Sequence, residues 1–398
     1  MAQPLSGVRI ADFSHVIAGP LATQFLCLLG ADVVKIEPPA GDAMRYYTRR
    51  EDLRGMAEPF IGANAGKRSI VLDLKTDEGR AAARRIALGS DIMVENFRPG
   101  VADRLGLGAA DLRAAAPSLI CCSISGFGQS GPMRDMPAID QVIQSMSGLM
   151  MLSGRPDDPP TRIGFPLVDT YCALMAAFAI LAAYTQRQAD PDRRGQTIDV
   201  AMLDTTMVLM SSVLATLTIS GSLPERSGNR GFSGAPTADT FPTADGEITI
   251  GAVQQSQVRR LADALGCPDL IDDPRFATPE ARVDNQTELQ AILAERFLMR
   301  TADAWETILG EAGVPAGKVR GIDEALTMPQ LADRGLFLDV PTPSDAQPTA
   351  RILNAGFRFQ HGGPGHRRPP PALGEHGREI LEDFGIDPDS VRDGRHGT

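Results

Sequence analysis

VRIADFSHVIAGPLATQFLCLLGADVVKIE, residues 8–37, decides the fold. Residues 8–13 form a short run rich in β-branched and apolar side chains, and residues 32–36 repeat that texture after the turn at Gly30. Between them, residues 20–29 are apolar and suited to a helix. Strand, helix and strand in one short stretch predict a parallel pair, because parallel neighbours need a crossover between them. The pattern continues outward. Residues 69–74, 91–95 and 119–125 read as buried strands, and 77–88 and 109–116 as helices. The expectation is an α/β fold with a large, Rossmann-like parallel-sheet domain over residues 1–222.

After Ser222 the texture changes. RSGNRGFSGAP, residues 226–236, reads as a mobile loop. A strand at 247–252 and helices at 254–265, 286–298 and 302–312 predict a smaller α/β domain, residues 223–330. Strands at 337–340 and 351–359, a Pro/Gly-rich tail from Gly362 and a last helix at 377–384 make a C-terminal segment, 331–398.

Composition removes several classes. Lys and Arg number 39 against 50 Asp and Glu, a net charge of −11, which disfavours nucleic acid as partner. Cys27, Cys121, Cys122, Cys172 and Cys267 lie in apolar runs without a CxxC pair, as in a cytoplasmic protein with reduced thiols. Residues 1–13 lack the pattern of a signal peptide. The apolar run YCALMAAFAILAAY, 171–184, would span only ~21 Å as a helix, which argues for a buried helix and against a membrane partner.

GxGxxG, GxxxxGK[ST], HExxH and GxSxG are all missing. The five histidines lack metal-ligand spacing, so no metal is expected, at His361 and His366 included. Only His15 stands just past a strand. Asp169, directly before the apolar run, has two readings: an N-cap accepting from the N–H of Tyr171 or Cys172, or a nucleophile beside the positive end of a helix. Spacing does not separate them.

The opening residues 4–45, with NAGKRSIVLDLK (64–75), VENFRPGVADRLGLG (94–108), SISGFGQSGP (123–132), DQVIQSMSGLM from Asp140, residues 164–187 and LGEHGREIL (373–381), are similar to the class III coenzyme A transferases, the CaiB/BaiF family. The resemblance implies an acyl-CoA-handling enzyme in which Asp169 is the covalent nucleophile, forming mixed-anhydride and aspartyl-CoA thioester intermediates. It implies CoA contacts at Ile17 and Ala18, at Leu72, Asp73, Leu74 and Lys75, at Asn96, Phe97 and Arg98, and at Arg104. Lys75, Arg98 and Arg104 are the expected phosphate partners, while Leu72 and Phe97 would offer apolar surface. CoA and acyl-CoA are then substrates, and no permanently bound cofactor is expected. The resemblance also implies an interlocked homodimer whose large domain is completed by the C-terminal tail.

Residues 226–236 occupy the place of the family's glycine-rich lid, without its uninterrupted glycine run. Related α-methylacyl-CoA racemases use a histidine before the aspartate at 140; Ile139 stands there and cannot exchange a proton. Ile17 and Ile139 also depart from the pattern for formyl-CoA:oxalate exchange. A dicarboxylate such as succinate, or a related small acid, is the expected substrate. The alternatives are a racemase and a non-catalytic CoA-binding protein of the same fold.

Overall fold

A computed structural model describes residues 2–365 and 368–391. Six strands build the central sheet: β1 (Arg9–Asp12), β2 (Asp32–Glu37), β3 (Arg68–Val71), β4 (Ile92–Glu95), β5 (Ile120–Ser125) and β6 (Thr197–Ala201). They pair in parallel in the order β3-β2-β1-β4-β5-β6. This is the doubly wound order, whose direction reverses between β1 and β4, the point at whose carboxyl ends sheets of this kind usually bind ligands. Five strands match the sequence pattern closely. β6 escaped it because its first three residues are partly or fully exposed and read as loop.

The helices up to residue 220 are α1 (Ala18–Leu28), α2 (Glu58–Asn64), α3 (Asp77–Leu88), α4 (Val101–Arg104), α5 (Ala109–Ala115), α6 (Asp140–Met146), α7 (Leu167–Ala189), α8 (Met202–Leu209) and α9 (Ser211–Ser220). Ala18, Ala22 and Leu26 of α1 pack in one core with Cys172, Ala173, Ala176 and Ile180 of α7. Small side chains let the two helices approach closely. Gly19 is required at the start of α1, since a Cβ there would stand 2.1 Å from Ser14 Cβ.

α7 corrects the length argument made from the sequence. At 23 residues it is ~35 Å long, enough by length and composition to cross a bilayer. It nevertheless buries Val168, Cys172, Ala173, Ala176, Ala177, Ile180 and Ala183 against the sheet side of the protein. Arg187 pairs with Asp91 at 2.8 Å and donates to the Ser118 carbonyl, fixing that end of α7 beside the amino ends of β4 and β5.

By chain contacts, residues 1–150, 162–224 and 329–398 form one compact unit, and 151–161 with 225–328 form the other. In the first, β3 is an edge strand covered by the C-terminal segment: His376 N–H donates to Ser69 O, Gly374 N–H to Ser69 Oγ and Gly66 N–H to Pro369 O. An edge left open would invite pairing with another chain. β10 (Phe337–Pro341) and β11 (Thr349–Leu353) form a hairpin on α2, with Val340 and Ile352 against Phe60 and Ile61. The strand expected over 351–359 ends at Leu353, so Phe357 and Phe359 lie beyond it.

In the second unit β7 (Thr240–Pro242), β8 (Glu247–Ile250) and β9 (Ala316–Lys318) make an antiparallel sheet. Helices α10 (Gln255–Ala264), α12 (Gln286–Phe297) and α13 (Ala302–Glu311) cover it, around Phe241, Phe297 and Trp305. The Trp305 indole donates to Phe297 O at 2.7 Å, so its polar edge is satisfied inside the core. α11 is Pro279–Asp284. Residues 226–236 are turns, but their first residue is not loose. Arg226 is buried and donates to the carbonyls of Met151 and Asp158.

Candidate active site

The turn after β1 is shaped by charges inside the protein. Asp12, Lys35, Asp42 and Lys67 are all fully buried. Lys67 Nζ donates to Asp12, Pro20 O, Thr23 Oγ1 and Asn64 Oδ1, each within 3.0 Å. Burial pushes the Asp12 carboxyl upward, but Lys67, Lys35, Ser14 and Thr23 hold it below the ordinary range. Lys35 Nζ donates to Ser14 O and pairs with Asp42, both at 2.9 Å. Asp42 Oδ1 in turn accepts from the N–H of Val16 at 3.1 Å. Val16 has φ 67°, a left-handed conformation costly for a β-branched residue, and this bond helps hold it there.

The turn is tied to the next strand end. Asn96 Oδ1 accepts from His15 N–H at 2.9 Å, and Asn96 Nδ2 donates to His15 O at 2.8 Å. The Phe97 ring lies 6.2 Å from the His15 ring. Burial and the charge of Lys35 keep the His15 imidazole below its usual pKa and therefore neutral. The residues after β1 (Ile17, Ala18) and after β4 (Asn96, Phe97, Arg98, then Arg104 on α4) thus share one edge at the reversal point of the sheet. Leu72, Asp73, Leu74 and Lys75 follow β3, two strands away.

One of these positions needs correction: Leu72 is 1% exposed inside a core, so it offers backbone but no apolar surface. Ala18 is 4% exposed, so its backbone is what it can present. Phe97 is half-buried and retains an accessible face. Asp73 accepts from Lys75 N–H and shapes the turn into α3. Lys75, Arg98 and Arg104 are exposed and, among the described residues, have no ion pair. Glu95, which the sequence did not single out, is buried at the end of β4, accepts from Phe97 N–H at 2.7 Å and is pushed by burial up to about 7. A carboxylate closing an apolar strand was the available signal.

Asp169 is not an N-cap. The residue before α7 is Pro166, and Asp169 lies in the first helical turn with no side-chain cap bond. The capping is done by another residue: Asp140 Oδ2 accepts from the N–H groups of Val168 and Asp169, at 2.8 and 3.2 Å. Asp140 Oδ1 accepts from Gln144 Nε2 at 2.6 Å, and the buried Gln144 accepts from Ile163 N–H at 2.9 Å. The start of α7 is thereby held from both sides. The Asp169 carboxylate itself is half-buried and has no hydrogen-bond partner among the described residues. Burial, with the charge of Asp140 beside it, pushes it up to about 7.

Asp169 lies ~27 Å along α7 from Arg187, whose partners Asp91 and Ser118 stand at the amino ends of β4 and β5. Among the described residues no cluster of three or more His, Cys, Asp or Glu side chains is placed to hold a metal. His366 and His396 lie outside the described residues.

The chain thus combines a doubly wound sheet with, at the start of α7, a carboxylate that has no hydrogen-bond partner among the described residues. The chain belongs to CoA-transferase family III, whose model matches residues 5–377. It is 38% identical over 385 residues to the succinyl-CoA–D-citramalate CoA-transferase of Chloroflexus aurantiacus, covering 96% of this chain and 94% of that protein. Over 400 residues it is 35% identical to the succinate–glutarate CoA-transferase of Agrobacterium fabrum, with 96% of each chain covered. A CaiB/BaiF family protein from Brucella suis has the same fold, with TM-score 0.84, 33% identity and coverage of 96% and 100%.

Proposed function

We propose that the chain moves coenzyme A from an acyl-CoA to a free dicarboxylic acid, with Asp169 as the transient carrier. The observation that carries this reading is the Asp169 carboxylate: reachable, unbonded, and raised in basicity to about 7. An Asp169 oxygen attacks the thioester carbonyl, the C–S bond breaks, and CoA leaves as thiolate. The thiolate attacks the aspartyl carbonyl of the anhydride and releases the donor acid. The acceptor carboxylate attacks the aspartyl thioester and expels the thiolate again. Attack of that thiolate on the acceptor's acyl carbon yields the new acyl-CoA and frees Asp169. No oxidation state changes, and each step trades intermediates of similar energy. Succinyl-CoA is the donor that the name of the Chloroflexus aurantiacus relative favours, and succinate recurs in the name of the Agrobacterium fabrum one.

Incubation with succinyl-CoA and hydroxylamine should leave a hydroxamate on the peptide carrying Asp169, read by mass spectrometry. Turnover without that adduct would sink the covalent mechanism. Solvent deuterium entering the α-carbon of a branched acyl-CoA would instead identify a racemase, against the exposed Ile139 beside Asp140. CoA binding with neither result would mean a silent binding protein.

The same reading makes the chain a cytoplasmic, interlocked homodimer. Support comes from apolar side chains left open to water: Leu174 and Phe178 on α7, Val208 on α8 and Ile219, 85% exposed, on α9. A second copy covering them is favoured over a bilayer because α7 would have to leave its core and its Arg187–Asp91 pair to insert. Light scattering of detergent-free protein should give twice 42.4 kDa. A monomer, or protein recovered only with detergent, would refute this.

A further inference from the structure

Arg104 ends α4, in the connection after β4, and Arg134 lies in the connection after β5; these strands are neighbours. The two guanidinium groups converge on Gly100, which is left-handed at φ +77°. A Cβ at Gly100 would stand 3.4 Å from Arg104 Nη1 and 3.9 Å from Arg134 Nη2. Both cations therefore reach one bare patch of backbone, within about 7 Å of each other, where like charges repel. Little nearby neutralises them. Asp103 is turned toward Gly108, where its Oδ1 is 2.2 Å from the place of a Cβ. Asp135 is 83% exposed and 3.5 Å from Arg134 Nε, too open to water to cancel the pair. Arg104 has no ion pair among the described residues.

In a chain of net charge −11, two convergent arginines over a glycine at the carboxyl edge of a parallel sheet are suited to a doubly charged anion. We propose that Arg134 joins Arg104 across Gly100 in a clamp for a phosphate group of the coenzyme, making Arg134 a substrate-binding residue. The inference rests on the CoA-transferase reading and adds to it a residue whose only contribution is to binding. Arg134 lies in a turn outside the predicted strands, which is why sequence reading passed over it.

The test is calorimetric binding of CoA and of 3′-dephospho-CoA to the full chain and to Arg134→Gln, at about 50 and 200 mM salt. Arg134→Gln should weaken CoA about tenfold or more, with a shallower salt dependence. It should raise KM for acyl-CoA and leave kcat unchanged. Loss confined to CoA assigns the clamp to the 3′-phosphate; equal loss for both ligands assigns it to the diphosphate. Undiminished CoA binding by Arg134→Gln, beside a wild type that binds, overturns the clamp alone. A wild type that binds neither ligand overturns the underlying reading as well. Thermal melting checks that the variant is folded, and Arg134→Lys, which keeps the charge but not the fork, carries the test if it is not.

Discussion

Asp169→Asn should lower CoA transfer by at least about four orders of magnitude while CoA still binds. The amide keeps the size of the side chain and cannot form the anhydride. Wild-type kcat/KM should fall tenfold per pH unit below about 7 and level off above it, because the attacking form is the carboxylate and its pKa is raised to about 7. The sign follows from the causes: burial and the neighbouring Asp140 charge both disfavour the ionised form, so the reactive base is gained as pH rises. Asp140→Asn removes one of these causes and should move the acid limb to lower pH. It also weakens the anchor at the N–H groups of Val168 and Asp169, so kcat should fall at the plateau. An acid limb that stays in place in Asp140→Asn would show that the charge of Asp140 has no part in setting the nucleophile.

Glu37→Ala is expected to cost about 3–5 kcal/mol of stability, because it strands a buried cation. Glu37 and Arg45 are both fully buried and meet through two bonds of 2.7 Å. Glu37 also accepts from Ser69 Oγ and Asp42 N–H. Arg45 donates to Gly55 O and Pro371 O, with its guanidinium 3.8 Å over the Phe60 ring. Urea unfolding monitored by circular dichroism would measure the loss, with Trp305 fluorescence following the other unit separately. A Glu37→Ala protein as stable as wild type would mean the pair contributes nothing beyond its own desolvation. Glu37→Gln keeps two acceptor sites and should lose less.

The sheet was readable because its strands are short apolar runs between helices, a pattern set by burial on both faces. Its order was not, since nothing in residues 8–37 says that β4 pairs with β1. α7 was underestimated because only its apolar stretch, 171–184, was measured, and the helix continues past it to Leu167 at one end and through polar residues to Ala189 at the other. Asp169 itself was found through family resemblance. The residues that prepare it are a matter of three-dimensional contact: Asp140 and Gln144 sit on a separate short helix and reach Asp169, Val168 and Ile163 only through the fold. The buried lattice of Asp12, Lys35, Asp42 and Lys67 was equally hidden, because each residue alone reads as an ordinary charge. The expected apolar surface at Leu72 failed for a related reason: a residue at a strand end can face inward.

The covering of β3 by residues 369–384 has a consequence for biosynthesis. Some 310 residues must be added after Val71 before that cover exists, roughly a quarter of a minute to a minute of translation. During that interval the nascent chain carries an unprotected strand and a half-finished apolar layer at Ile70, Leu72 and Ile86, which Ile380 and Phe384 later close. A ribosome-bound intermediate of this kind is a natural client for holdase chaperones, and stalling late in the message would leave a sticky product.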